Sequence, residues 1–203
     1  MNFSKTCLTV FEKATEDFHI HNDIDQIAKN PFPVGQLEHL LYKKNYIDTV
    51  QWHLEDIVRD PNIAPDKGLM IKRRIDQSNQ ERTDIVEKID DHLHINYNAS
   101  NPFPDAKINT ESPAWAIDRL SILVLKIYHM KEEVMRKDAS VVHKENCELR
   151  LKVLLEQRAD LAQSIDELMD DIQAGRKRMK VYRQMKMYND PSLNPVLYNQ
   201  QKQ

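Results

Sequence analysis

The chain has few of the residues on which small secreted folds and phosphate-binding loops depend. Only two cysteines, Cys7 and Cys147, occur in 203 residues, and neither sits in a CxxC. That spacing suggests neither a disulfide framework nor a thiolate zinc site, and a reducing compartment suits the pair. With three glycines in all, no glycine-rich loop and no strand–turn–helix elbow surrounds a candidate Ser or Cys nucleophile, so acyl transfer has no support. The apolar runs are short as well. Ile122–Leu125 is typical of the longest, against the roughly 20 residues that a membrane-spanning helix requires. Near the N-terminus Cys7–Phe11 is interrupted by Thr9 and closed by Glu12, so a secretory leader is not expected and a cytoplasmic location is. Charge of one sign is also lacking: 29 Lys and Arg against 32 Asp and Glu leave a net charge of −3. Nucleic acid is therefore not an expected partner, unless through a local patch.

What remains is 40% hydrophobic and 30% charged residues, a balance suited to an ordinary globular chain. The nine prolines gather at 31–33, 61–65, 102–104, 113 and 191–195, which leaves long uninterrupted segments between them and favours helices over many short strands. Phe3, Cys7, Val10, Ala14 and Phe18 recur every three or four residues and predict a first helix over 3–21. Leu37 to Val58 carry the same period, predicting a second over 36–60 that Pro61 stops. Leu69, Ile71, Ile75, Ile85, Val86, Ile89 and Leu93 predict a third over 66–95, opening at Pro65-Asp66. Ser112-Pro113 reads as an N-cap followed by proline in the first turn and opens a fourth, 113–137. From Cys147 through Leu151, Leu154, Leu161, Ile165, Leu168 and Ile172 to Tyr182 the spacing alternates four and three, a coiled-coil-like pattern that predicts a fifth helix over 140–188. A helix of that length either bends at Gly175 or packs on another subunit, so a homodimer is expected. The fold class is all-α: one domain, 1–188, a bundle of about five helices with a long C-terminal helical hairpin, followed by a loosely held tail, 189–203.

Candidate functional residues are charged or polar groups on the inner or edge positions of these helices. Helix two offers Asp48, Gln51, Glu55 and Arg59 in one stripe, with Trp52 and His53 beside it. Helix three offers Asp76, Asn79, Thr83, Glu87 and Asp90, with Arg82 in line with the isoleucines; helix four adds Asp118, Arg119, His129 and Glu132. The plainer reading pairs these groups across helices, for example Arg82 or Arg119 with Glu55 or Asp118, to fix helix register. The alternative sets Glu55 and Asp56 against Glu87 and Asp90 around Mg²⁺, with His53, Glu55, Arg82, Asp118 and His129 as candidate catalytic groups. That arrangement resembles the all-α nucleotide pyrophosphatases, with Lys72, Arg73 and Arg82 placed for phosphate oxygens. It departs from their two glutamates at i, i+3, since Val58 follows Glu55 and Arg59 follows Asp56 at that spacing.

Histidine spacing within single helices is less informative. His92-x-His94 points its rings to different sides, and His129-x-x-Glu132 reverses the Glu-x-x-His order of di-iron bundles. The strongest positive cluster is Arg176-Lys177-Arg178 with Lys180, Arg183 and Lys186, preceded by Asp166, Glu167, Asp170 and Asp171. It complements a helix C-terminus, with RNA or anionic lipid as the alternative contact.

The strings Leu41 to Asp56 (LYKKNYIDTVQWHLED), Ser78 to Asp84 (SNQERTD), Asp118 to Leu123 (DRLSIL), Ile127 to Met130 (IYHM) and Val181 to Pro191 (VYRQMKMYNDP) resemble a bacterial family catalogued as domain of unknown function 4254. The resemblance implies a cytosolic bacterial helical protein with no established activity, an accessory or interaction protein linked to envelope-glycan glycosyltransferases. It directs attention to Trp52, His53, Glu55, Asp56, Asn79, Arg82, Asp84, Glu87, Asp118, Arg119 and His129.

Overall fold

A computed structural model describes residues 3–98, 101–185 and 191–193. Its architecture is an all-α bundle of five helices: α1 (Phe3–His19), α2 (Leu37–Val58), α3 (Pro65–Tyr97), α4 (Pro113–Met135) and α5 (Val141–Gln173). Two-residue strands β1 (Lys107–Ile108) and β2 (Lys177–Arg178) pair in parallel, Lys107 opposite Lys177. A 3₁₀ turn covers Pro191–Leu193; the remainder of the predicted tail over 189–203 lies outside the described residues, as does Lys186 of the basic segment. No helix among the described residues is long and apolar enough to cross a membrane.

The periodic apolar positions form the core. Cys7, Phe11, Ala14 and Phe18 of α1 are closed off from solvent together with Leu41 of α2, Ile89 and Leu93 of α3, and Ile117 and Leu120 of α4. Ile165, Leu168, Met169 and Ile172 of α5 complete it from the opposite side. A smaller cluster, Leu54 with Ile71 and Ile75, binds the end of α2 to the start of α3. Each fully buried aliphatic or aromatic side chain of this kind contributes about 1.5–3 kcal/mol relative to exposure.

Helix starts follow the chain's own caps. Ser140 Oγ accepts the His143 amide at 3.2 Å to begin α5. Asp90, reaching over from α3, accepts the Ala114 amide at 3.0 Å and the Ser112 hydroxyl to begin α4. The first four helices end within two or three residues of the periodicity's limits.

The fifth does not. It stops at Gln173 rather than running to 188, because Gly175 adopts φ +73° and closes a paired C-cap. The Arg176 amide donates to Asp171 O at 2.8 Å and the Gly175 amide to Ile172 O at 3.1 Å, the two bonds of a Schellman ending. The chain then reverses direction and enters β2. A Cβ at position 175 would also stand 3.2 Å from Pro102 Cα. Gly175→Ala is therefore expected to lower stability by about 1–2 kcal/mol, the usual cost of a left-handed non-glycine residue, read as a drop in thermal midpoint with unchanged helical circular dichroism. A midpoint equal to the parent's would mean that the turn has another way to form.

Candidate functional site

The polar face of α2 is as deeply buried as its apolar one. Lys44, Asn45, Asp48 and Thr49 occur one helical turn apart and are all closed off from solvent, which is sustainable only if every polar atom finds a partner. Lys44 Nζ contacts Asp48 on its own helix and lies 2.9 Å from Asp118 Oδ1 of α4. From α3, Arg82 reaches both carboxylates, its Nε 3.1 Å from Asp48 Oδ1 and a terminal nitrogen 2.6 Å from Asp118 Oδ2. Ser121 Oγ donates to Asp48 Oδ2 at 2.6 Å, Asn45 Nδ2 donates to Ser121 Oγ at 3.0 Å, and Thr15 Oγ1 of α1 donates to Asn45 Oδ1 at 2.9 Å. Burial pushes the Asp48 carboxyl up, and the Lys44 and Arg82 charges pull it back. Two cations and two carboxylates cancel, so the set locks α1, α2, α3 and α4 in register without leaving a net charge inside.

A second polar cluster lies between α1, α2 and α4. His19 ends α1, His53 lies on α2 and His129 on α4, with ring nitrogens of all three within 4.8 Å of one another. His19 Nδ1 is 2.6 Å from Thr15 O, and His129 Nδ1 is 2.8 Å from Glu132 Oε2. A carbonyl and a carboxylate can only accept, so both Nδ1 atoms carry the proton and both Nε2 atoms of the neutral rings present a lone pair. The Nε2 atoms of His19 and His53 stand 3.3 Å apart. His129 Nε2 is buried with no hydrogen-bond partner among the described residues. Aromatic rings hold the imidazoles in place: Phe18 stacks on His53 at 5.0 Å, Trp52 on His129 at 4.9 Å and Tyr128 on His19 at 4.2 Å. Burial among these rings lowers the proton affinity of His19 and His53.

The model of a family described as a protein of unknown function (DUF4254) matches residues 38–181. The chain belongs to this family. No curated protein and no solved structure matches it. The DUF4254 span covers α2 to β2 and so contains Lys44, Asp48, Arg82, Asp118 and Ser121, together with His53 and His129. Thr15, Phe18 and His19 lie before it on α1.

Within the DUF4254 span the other predicted residues go to separate places. Glu55 pairs with Arg59 at 3.2 Å on the surface, and Asp56 stands 3.8 Å from the same Arg59. Glu87 accepts the Gln184 amide at 2.7 Å and pairs with Arg183, which also grips Asp91 at 2.8 Å. Asp90 caps α4. Among the described residues these four carboxylates do not converge on a common point as a ligand set. Arg82 and Asp118 do meet, as the register-fixing pairing expects, whereas Arg119 turns outward to Glu111 at 3.4 Å. Asn79 accepts from Gln51 Nε2 at 2.9 Å, and Lys72 pairs with Asp76 on the surface. Asp84 accepts from Gln80 Nε2 at 2.7 Å on the same helix. In the basic segment Arg176 and Lys177 both bind Asp171, at 2.7 and 3.6 Å. The periodic argument missed Lys44, Asn45, Thr15 and His19. For the first two a signal existed, since they follow Leu41 at i+3 and i+4 on the inward face, and Thr15 had the same one, four after Phe11 and three before Phe18; for His19 none did.

Trp52 of α2 and His129 of α4 also line an apolar groove of about 620 Å³ beside α5. Met130, Leu149, Val153 and Leu154 line it as well, together with the charged Lys126, Glu133 and Arg150.

Proposed function

We propose that the chain is a cytoplasmic helical interaction protein that pairs with a second copy of itself through the α4–α5 groove. The observation that carries this reading is the exposure of Leu149 (65%) and Val153 (52%) on α5, beside an apolar groove that their own helix helps to build. Apolar side chains gathered at such a groove mark a contact surface more often than isolated ones do. Val142, also exposed, lies seven residues before Leu149 and extends the same face along the helix. Self-pairing is favoured over another occupant because the groove lining carries both signs of charge, Lys126 and Arg150 with Glu133. In a two-fold contact each copy would offer the other the complement of its own charges. Such a dimer is the form that would serve envelope-glycan glycosyltransferases as an accessory, the association that the family resemblance carries.

The alternative of Mg²⁺-dependent phosphate-ester hydrolysis needs Glu55, Asp56, Glu87 and Asp90 on one ion, and these are engaged with different neighbours. Light scattering coupled to size exclusion tests the pairing: the parent chain is expected at twice its monomer mass at micromolar concentration. The double variant Leu149→Glu, Val153→Glu is expected at the monomer mass with unchanged helical circular dichroism. A parent chain that is monomeric throughout that range overturns the proposal.

A further inference from the structure

We propose that His19, His53 and His129 together bind a divalent transition-metal ion of the zinc class through their Nε2 atoms. The proposal does not depend on the pairing of two copies, although His129 also lines the groove beside Trp52.

Three observations support it. The first is spacing. Zinc binds imidazole nitrogen at about 2.0–2.1 Å, so two ligands of a tetrahedral site stand about 3.3–3.4 Å apart. The Nε2 atoms of His19 and His53 are 3.3 Å apart, and the ring nitrogens of all three residues lie within 4.8 Å of one another. The second is tautomer. Because Thr15 O and Glu132 take the Nδ1 protons of His19 and His129, their Nε2 lone pairs are set toward the cluster. A carboxylate or carbonyl on the far nitrogen is the usual support of a metal-bound histidine. Without an ion, the His53 Nε2–H can donate to His19, and coordination requires only that this proton shift from Nε2 to Nδ1, so that the ring stays a neutral imidazole. The third is the buried His129 Nε2, which no group among the described residues satisfies. With His53 donating to His19, the His129 lone pair alone lacks the partner that buried polar atoms normally have, and a cation would engage all three Nε2 atoms at once.

The donor set points to the metal. Neutral imidazoles suit zinc, copper, nickel and iron, whereas magnesium and calcium take oxygen ligands. No fourth Cys, His, Asp or Glu among the described residues joins the set, so the fourth position would be left to water or to a bound group, the arrangement of zinc sites that act on a ligand. A second cluster, Glu133 with His143 and Cys147, also brings three donors together. There the Glu133 carboxylate is already shared between Arg136 and His143, each at 2.8 Å, and no buried donor is left without a partner.

The test uses the full-length chain, free of any histidine tag and stripped with a chelator, titrated with Zn²⁺ or Co²⁺ alone. One ion per chain is expected, with a raised thermal midpoint. Co²⁺ is expected to give visible bands of tetrahedral nitrogen ligation and no thiolate charge-transfer band in the near ultraviolet. Glu132→Gln, which keeps all three ligands, is expected to weaken binding about 10- to 100-fold, and His53→Gln and His129→Gln by more. His143→Gln is expected to leave binding unchanged. A parent chain that takes up no ion overturns the proposal, as does undiminished uptake by both His53→Gln and His129→Gln. A thiolate band overturns it too, because it places the ion at Cys147; that spectrum is read on the parent chain and so does not depend on any variant folding.

Discussion

Replacing Lys44 by Met is expected to cost about 3–5 kcal/mol, the loss typical when one partner of a buried ion pair is removed. Total stabilities of domains run to about 5–15 kcal/mol, so this single change should bring the chain close to unfolding at physiological temperature. The reason lies in what stays behind. Lys44 has no exposed surface and contacts Asp48 and Asp118; without it two buried carboxylates share only Arg82. A methionine fills the volume, so the loss reports charge rather than a cavity. Urea denaturation should show a lower midpoint with an unchanged slope. A companion chain in which Lys44, Asp48 and Asp118 are together replaced by apolar residues, with Arg82→Met, should recover most of the loss, since a whole buried ionic group can often be exchanged for packed apolar side chains. If Lys44→Met unfolds at the parent midpoint, the four-group network does not form in solution.

Phe18→Ala should cost a similar amount, about 3–5 kcal/mol, as is usual for a fully buried phenylalanine. Phe18 is the last large core residue of α1 and touches three rings: His53 in a stack, with Tyr46 and His19 edge-on at 5.6 and 5.2 Å. Deleting it opens a cavity beside the histidine cluster and removes the surface against which His53 is held. Two residues on, Ile20 is 71% exposed, and Ile20→Ala should stay within about 0.5 kcal/mol of the parent. The contrast between the two, measured under the same denaturant conditions, tests the docking of α1 directly. Equal and small losses would mean that α1 is not packed on the bundle as described.

The helices could be read from periodicity because each apolar stripe depends only on residues three and four apart in the same segment. α5 departed from that reading through a backbone conformation: the four-three spacing continues through Gly175 to Met179 and Tyr182, and only the left-handed turn at Gly175 shows that the helix has ended. The functional residues were harder for a related reason. A stripe such as Asp48, Gln51 and Glu55 identifies one side of a helix, but not which neighbour that side meets. Asp48, in the middle of α2, is buried, whereas Glu55, two turns on and near the end of the same helix, pairs with Arg59 at the surface. Lys44 belongs inside because Asp118 and Asp48 meet it there, and that choice is made by three helices at once. His19 lies 34 positions from His53, at the end of a helix whose own pattern gives no reason to single it out. Only the crossing of α1 over α2 and α4 brings the two imidazoles together.

The parallel pairing of β1 with β2 has a consequence for the order in which the molecule comes apart. One strand lies just before α4 and the other just after α5, so their hydrogen bonds turn the hairpin of these two helices into a closed ring. A pull on the chain beyond β2 loads that small clasp first, and α5 can peel away from the bundle only once it has opened. The four residues of the ladder thus act as a latch whose strength sets when the last helix leaves.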